Sequence, residues 1–452
     1  MIKTHLIIGA GPAGLAAASA LSQDSRSRVL VVDTGRSLSM REHEKASDLG
    51  CGIGGAGLFS DGKFSYYPSG TNLYTLSHNS TLRNSYSWVT TLLNRVGITT
   101  YPYPDNLSRQ VDTGFGVKDY NTAYGSLSQR YDLIEALSIL QNTEFVLQSK
   151  VTQVRKKIGG KYAVTITKLS DQSQHVVLAD SIILATGRLG PLEFKSIFGE
   201  IGALSQNLRY EFGLRVESKA DLGFLTRFNK PDVKAIWQVP FGEIRTFCAC
   251  RNGEIWNIPY APLSAVSGRS DGPRSEYSNF GLLARFKGNH FDRGGDIFAK
   301  AMRSLVIKQR QVVWQSLPSF MGKSDLLSGD ITQSSRPWFP QRDFKNASIA
   351  ELIGDEFQRV FVSVLSKLID WSPDLYDAST AVMFPAIEGV GSYVKLTDGL
   401  QIPNENIWCA GDMSGIVRGI IPALISGHYA GKRVMQDCQS VTNSTVTGVK
   451  LG

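Results

Sequence analysis

Apolar residues in this chain come in short unbroken runs near its two ends and in mixed patterns between them. Residues 4–8 (Thr-His-Leu-Ile-Ile) and 29–32 (Val-Leu-Val-Val) predict buried strands, because parallel strands covered on both faces carry continuous apolar runs rather than alternation. Between them, residues 12–22 predict a helix of small residues. A Gly-rich loop follows from Gly50 to Gly62, and the Tyr-, Ser-, Thr- and Asn-rich stretch 70–125 has no period that fixes its elements. A helix is expected over 127–141, with Leu133, Leu137 and Leu140 on one face. Strands at 144–154, 161–169 and 174–178 suggest a β-meander, and Ser181-Ile-Ile-Leu-Ala-Thr-Gly187 a strand ending at a glycine turn. From about 205 to 375 the pattern changes to strands with long polar loops, then helices near 294–315 and 349–370. Ile407-Trp-Cys-Ala-Gly411 is a further buried strand, followed by a helix over 416–436. The tail from Gln439 is expected to fray.

The fold class this implies is α/β, with a discontinuous Rossmann-type domain assembled from 1–204 and 376–438. That domain carries the β-meander. A mixed α+β substrate or cap domain is inserted at 205–375, and 439–452 forms the tail.

At 452 residues, 42% hydrophobic and 19% charged, the composition is that of a soluble globular protein of two or three domains. No uninterrupted apolar stretch reaches the length of a membrane span, so none is expected. Lys3 and the apolar stretch ending at Ala18-Ser19-Ala20 have the outline of a secretory signal. However, glycines at 9, 11 and 14 interrupt the apolar helix such a signal requires. The cysteines (Cys51, Cys248, Cys250, Cys409, Cys438) are odd in number and scattered, which excludes a zinc framework and a disulfide scaffold. A reducing, cytoplasmic setting is expected. The net charge of +8 is spread along the chain without like-charge blocks. Such a charge fits an acidic partner such as nucleic acid or an anionic membrane, and equally an anionic cofactor with a small anionic or polar substrate; its even spread favours a mildly basic soluble enzyme over a nucleic-acid binder.

The strongest chemical signal is Gly9-Ala10-Gly11-Pro12-Ala13-Gly14, directly after a predicted strand and opening a predicted helix. Gly9 permits the tight turn, Gly11 lets backbone approach a pyrophosphate, and Gly14 lets the helix pack close to the sheet. The pyrophosphate would sit on the N–H groups of the helix N-terminus. Asp33 ends the second strand, where a carboxylate can accept from ribose hydroxyls and disfavours a 2′-phosphate. This fingerprint alone does not separate NAD from FAD. The late Gly411-Asp412, at a strand end before a helix, resembles flavoproteins of the glutathione reductase type. There such an acid binds the ribityl chain, and the next helix points its N-terminus at the flavin pyrimidine. Ala185-Thr186-Gly187-Arg188 resembles the Ala-Thr-Gly stretch of that group, where aromatic hydroxylases carry Asp-Gly. One complete fingerprint with a trailing acid is present, so a second Rossmann domain for NADPH is not evident.

Further matches are ordered along the chain. Gly54-Gly55-Ala56-Gly57-Leu58-Phe59-Ser60-Asp61-Gly62-Lys63 is followed by Ala185–Arg188, Phe212-Gly-Leu-Arg-Val-Glu217, Arg245-Thr-Phe-Cys248 and Asn279-Phe280. Then come Gly411-Asp412, Arg418-Gly419 and Ser426-Gly427. In this combination, across residues 5–430, the chain resembles a large, poorly characterised family of bacterial FAD-dependent dehydrogenases. It departs at Met413-Ser414, where small Gly and Ala residues are usual.

The resemblance implies FAD and hydride transfer between a small organic substrate and flavin N5, with the electron partner open among oxygen, NAD(P)H as a transient donor without its own domain, and a partner protein. It implies cofactor contacts from Gly9, Gly11, Pro12, Ala13, Gly14 and Asp33, then Gly55, Ala56 and Val151. Ala185, Thr186 and Gly187 extend the set, and Gly411, Asp412, Gly419 and Ile420 complete it. Lys63 is a candidate fixed positive charge or proton donor, with a structural phosphate or ribityl contact as the alternative. Arg215 and Arg245 are candidate substrate clamps or ion-pair partners. Arg418, near the start of the late helix, calls for an adjacent anion. Cys248-Ala-Cys250 reads as plain packing with a redox pair as the alternative, Cys51 as a small buried residue with a covalent flavin link as the alternative, and His428 as packed. The competing functional readings are a flavin monooxygenase using NAD(P)H and oxygen, and a non-redox or tRNA-binding flavoprotein of the same fold.

Overall fold

The computed structural model describes residues 2–105, 121–199, 201–219, 234–260, 263–269, 274–308, 312–322 and 344–446, with residues 221, 223 and 225. They divide into two compact units, one drawing on Met1–Ser108, Tyr120–Gln206 and Ser392–Gly452, the other on Asn207–Gly391.

The first unit is built on a five-stranded parallel sheet. In spatial order its strands are Ile407–Cys409, Ser181–Leu184, Lys3–Ile8 (β1), Ser27–Val32 (β2) and Thr143–Val146. The apolar runs are buried on both faces, with Ile7 registered against Val31 on one side and Ile183 on the other. The helix Pro12–Leu21 (α1) follows β1, its N-terminus set by Gly11 and by Pro12, whose missing N–H costs nothing in a first turn. The meander is the antiparallel set Ser149–Lys156, Tyr162–Lys168 and Gln174–Ala179. The strand expected over 144–154 is therefore two strands. Gln148, at a φ of 49°, turns the chain between the parallel sheet and the meander. The helix expected over 127–141 spans Leu127–Ser138, closed at its start by a capping box between Ser126 and Gln129. The stretch without a readable period contains the helix Asn79–Arg95 and a ribbon pairing Lys63–Ser65 with Thr122–Tyr124. The late helix is Ile420–Val446, so it begins later than expected and runs through the first residues of the expected tail; residues 447–452 lie outside the described residues.

The second unit carries a seven-stranded sheet ordered Ile236–Val239, Gly242–Cys250, Tyr277–Phe286, Ser205–Lys219, Ala381–Val394, Val312–Ser316 and Phe344–Asn346, with a separate hairpin of Glu254–Tyr260 and Leu263–Arg269. Its pairings are antiparallel except Val312–Ser316 with Phe344–Asn346, among those whose register is described. The amphipathic helices Phe291–Ile307 and Asp355–Trp371 bury Phe298, Met302, Phe357 and Phe361, and aromatic contacts join Phe212, Phe286, Phe298 and Phe357. The helix expected over 294–315 ends at Ile307. Val312-Val313-Trp314 form a strand instead, because β-branched and aromatic residues buried on both faces suit a sheet interior.

Candidate dinucleotide-binding site

The turn after β1 is fixed by packing at two of its three glycines. Gly9 has a φ of 106°, and a Cβ there would overlap the Ala185 carbonyl of the neighbouring strand end. A Cβ on Gly14 would overlap the Gly9 carbonyl. Gly11 differs: it caps α1 in extended conformation with no side-chain hydrogen bond, and a Cβ there would meet only the Gly55 Cα, at 3.9 Å. Among the described residues, nothing requires glycine at this position. The helix N-terminus behind it offers its N–H groups and positive dipole end to an anion.

Two distant segments converge on this N-terminus. The short helix Gly55–Leu58 lies against it, since a Cβ on Gly55 would come within 2.8 Å of the Gly11 Cα and one on Gly57 within 2.5 Å of Pro12 Cγ. The late segment arrives from the other side. Gly411 Cα is directed so that a Cβ would stand 3.0 Å from the Ala13 Cβ, and a Cβ on Gly427 would overlap the Ala13 carbonyl. The late helix and α1 thus pack backbone against backbone through small residues, which is why Gly427 matters as much as the early fingerprint. Ser426 accepts from Gly411 N–H at 2.9 Å and so ties the strand end to the helix.

Asp33, at the end of β2, is buried and already hydrogen-bonded. One carboxylate oxygen accepts from Ala10 N–H at 2.7 Å, and the other from Gly35 and Gly52 N–H at 2.7 Å each. It therefore braces the fingerprint turn against two loops. Asp412, partly exposed, lies 3.8 Å from Arg188 Nε, so the Ala185–Arg188 turn and the late Gly-Asp share one ion pair. Ala185 is buried, Thr186 exposed and Gly187 half-buried at a φ of 72°. The Val151 side chain belongs to the core between sheet and meander. Gly419, at a φ of 91°, and Ile420 open the late helix, and Arg418 precedes it, half-buried. Lys63 Nζ pairs with Asp61 at 3.1 Å, both largely buried.

Two arginines that sequence reasoning missed hold the Gly-rich segment in shape. Arg41 is buried and donates to the carbonyls of Asp48, Ile53 (2.5 Å) and Gly55 (2.9 Å). Burial pulls its guanidinium below the ordinary value, and nearby Cys51, Asp33 and Asp48 oppose that shift. Arg130 Nη1 donates to Leu58 O at 2.8 Å and Ser60 O at 2.6 Å. A folded loop leaves carbonyls without ladder partners, and a buried guanidinium fork supplies several donors at once. No local motif announces either residue.

Arg245 and Arg215 belong to the second unit. Arg245 is ion-paired with the fully buried Glu211, and Arg215 donates to Asn279 Oδ1 and Cys248 O. Cys51 donates to Ser47 O at 3.4 Å, and burial pushes its thiol up, away from reactivity. His428 stacks on Trp88 with ring centroids 4.2 Å apart and pairs with Ser85 Oγ at 3.0 Å, a packed histidine as expected.

Comparison by sequence with characterised proteins gives no match. Among solved structures, similar folds include the Diels-Alderase PyrE3 of pyrroindomycin biosynthesis (12% identity, TM-score 0.37, 91% of this chain and 59% of that one). Another is a geranylgeranyl bacteriochlorophyll reductase-like protein from Thermoplasma acidophilum (13% identity, TM-score 0.42, 97% of this chain and 80% of that one). A third is the myxobacterial chondrochloren halogenase CndH (11% identity, TM-score 0.38, 99% of this chain and 76% of that one). The chain thus spans about three-fifths of the Diels-Alderase's length, and at these identities the likeness is one of fold. Residues 7–62, which contain the fingerprint, Asp33 and the Gly-rich loop, match the NAD(P)-binding Rossmann-like domain family.

Proposed function

We propose that this chain is an FAD-dependent oxidoreductase that transfers a hydride between a small organic substrate and flavin N5. The observation that carries the reading is Gly11. Its open Cβ direction lies at an uncapped helix N-terminus, among glycines that the protein itself requires. A pyrophosphate on that N-terminus explains the residue. In this reading the backbone of Gly11, Ala13 and Gly14 holds the pyrophosphate. Asp33, with three of its roughly four lone-pair sites on amides, offers the remaining one to a ribose hydroxyl.

Support for FAD over NAD comes from the late segment. Gly411 is packed on Ala13, and this brings Asp412 to the same helix end, where it would hold the ribityl chain. The Gly419–Ile420 helix start favours negative charge on the pyrimidine. Gly55, Ala56, Val151 and Ala185–Gly187 supply close backbone around it. FAD, when bound, supplies the hydride chemistry, and the chain supplies orientation and field. Lys63, anchored by Asp61, and Arg418 are the fixed positive charges we assign to the flavin or an anionic substrate; Arg245 holds the second unit's sheet.

The test is an absorbance spectrum of the purified protein, then anaerobic titration with NADH and NADPH. Flavin bands are expected, and their bleaching identifies a nicotinamide as donor. Bands that persist move the donor to the organic substrate. Substrate hydroxylation on readmitting oxygen would replace dehydrogenation by oxygenation. A colourless protein that FAD does not reconstitute overturns the proposal.

A further inference from the structure

The second unit holds an arrangement that the flavin reading does not use. Arg215 is buried in the strand Ser205–Lys219, and among the described residues no carboxylate ion-pairs with it. Its guanidinium donates to Asn279 Oδ1 (2.8 Å from Nε, 2.5 Å from Nη2), to Cys248 O at 2.8 Å and to Cys250 Sγ at 3.3 Å. The protein is built around this group: a Cβ on Gly268 would overlap Arg215 Nη2. A buried cation gains from a nearby anion, and the Cys250 sulfur, which accepts from Arg215, is a group that can become one.

The backbone there is specialised too. The ladder between Gly242–Cys250 and Tyr277–Phe286 slips between Phe247 and Cys250, and Cys248 sits at a φ of 46°, a left-handed conformation that a non-glycine residue adopts at a cost. The result places the two sulfurs within 4.8 Å of each other, with Cys250 fully buried and Cys248 half-buried. A disulfide needs them at about 2.05 Å.

We propose that Cys248 and Cys250 form a thiol–disulfide redox site, in which Arg215 holds the Cys250 sulfur as the anion. The oxidant is a low-molecular-weight disulfide. The accessible Cys248 sulfur attacks one of its sulfurs, breaking that S–S bond and releasing one small thiol. The Cys250 sulfur then attacks Cys248 in the mixed disulfide, forming the Cys248–Cys250 bond and releasing the second thiol. Two electrons pass from the cysteine pair to the small disulfide, whose halves leave as thiolates, one taking the Cys248 proton and the other a proton from water. The site does not depend on flavin.

The experiment is to equilibrate the folded, full-length protein with oxidised glutathione, block remaining thiols with iodoacetamide, and map the peptides by mass spectrometry. The expected result is a peptide carrying Cys248 and Cys250 that has lost two hydrogens and takes no label, restored by dithiothreitol. Cys250→Ser is expected to stop at a glutathione adduct on Cys248. Arg215→Lys is expected to close the disulfide normally, since it keeps a cation, and Arg215→Met about tenfold more slowly. Both thiols remaining alkylatable in the wild-type protein after oxidation would overturn the proposal, as would a disulfide to another cysteine. Closure at an unchanged rate in folded Arg215→Met would overturn the role of the arginine.

Discussion

The two units bury charge for different purposes. In the first, buried charged groups serve loop backbone: Asp33 gathers three amides, while Arg41 and Arg130 gather the carbonyls of residues 48–60. In the second, charge lies in the strands themselves. Glu211 is fully buried between Arg209 at 3.2 Å, Arg285 at 3.3 Å and Arg245, and Arg285 also reaches Glu243 at 3.0 Å. The first unit bends backbone through its Gly-rich segment and must satisfy the polar groups that bending leaves over. The second has no such bend at Glu211. Its network spans the neighbouring strands Gly242–Cys250, Tyr277–Phe286 and Ser205–Lys219, and a charge cluster that pairs in only one alignment fixes their register.

The largest effect expected from this contrast is at Glu211. Glu211→Gln keeps the shape and removes the charge, leaving three guanidinium groups around a neutral amide. Urea denaturation is expected to show a loss of about 3–5 kcal/mol. A loss under about 1 kcal/mol would place the network with surface ion pairs and remove the contrast. In the first unit the corresponding weak point is a glycine. Gly427→Ala forces a methyl group into the Ala13 carbonyl, and backbone cannot step aside as a side chain does. A cost of about 3 kcal/mol is expected, the upper part of the overpacking range. A wild-type melting curve for Gly427→Ala would show that the two helices are not seated on each other as described.

What was legible in the sequence follows the same division. The fingerprint, the buried parallel strands and the late Gly-Asp were readable because each is a local pattern: a glycine where close approach is needed, a continuous apolar run where both faces are covered. Residues 144–154 misled because the switch between two sheets is made at Gln148, a residue type that does not mark a left-handed turn. Val312-Val313-Trp314 misled because a short apolar run next to a helix has no period of its own. Arg41, Arg130 and Glu211 were invisible for a further reason. Their importance lies in burial and in partners up to 74 residues away, and nothing near them in the chain records either.

A smaller effect concerns acid. His428 is buried against Trp88 and Ser85, and burial, with Lys432 nearby, lowers its pKa to about 3. The unfolded chain binds a proton there near the ordinary 6.5. Between those values it holds more protons than the folded chain, so stability falls as pH drops from 6.5 towards 3 and is fully present above 6.5. From pH 7 to pH 5 this one group is expected to remove about 2 kcal/mol. His5, lowered to about 4 mainly by burial, acts in the same direction. Urea midpoints at the two pH values, for the wild type and His428→Gln, check this. The variant is expected to lose the His428 share of the slope and keep that of His5. An unchanged slope would mean that His428 titrates normally and is not buried as a neutral ring.

The smallest expected effect on stability is at Gly11, and its smallness is the point. Gly9 and Gly14 are held by protein neighbours that a methyl group would strike, whereas the nearest neighbour of a Gly11 Cβ is 3.9 Å away. Its backbone, at a φ of −71°, is open to any residue. Gly11→Ala is therefore expected to change the unfolding free energy by less than about 1 kcal/mol, while Gly14→Ala is expected to cost about 3 kcal/mol. Flavin content is expected to separate them the other way. A folded Gly11→Ala protein should bind FAD at least about tenfold more weakly, because the methyl group occupies space that only a ligand would fill. If Gly11→Ala folds and binds as the wild type does, the open space beside Gly11 serves no pyrophosphate. If instead it unfolds as Gly14→Ala does, that glycine belongs to packing after all, and the case for a nucleotide at this helix must rest on Asp412 and the late helix alone.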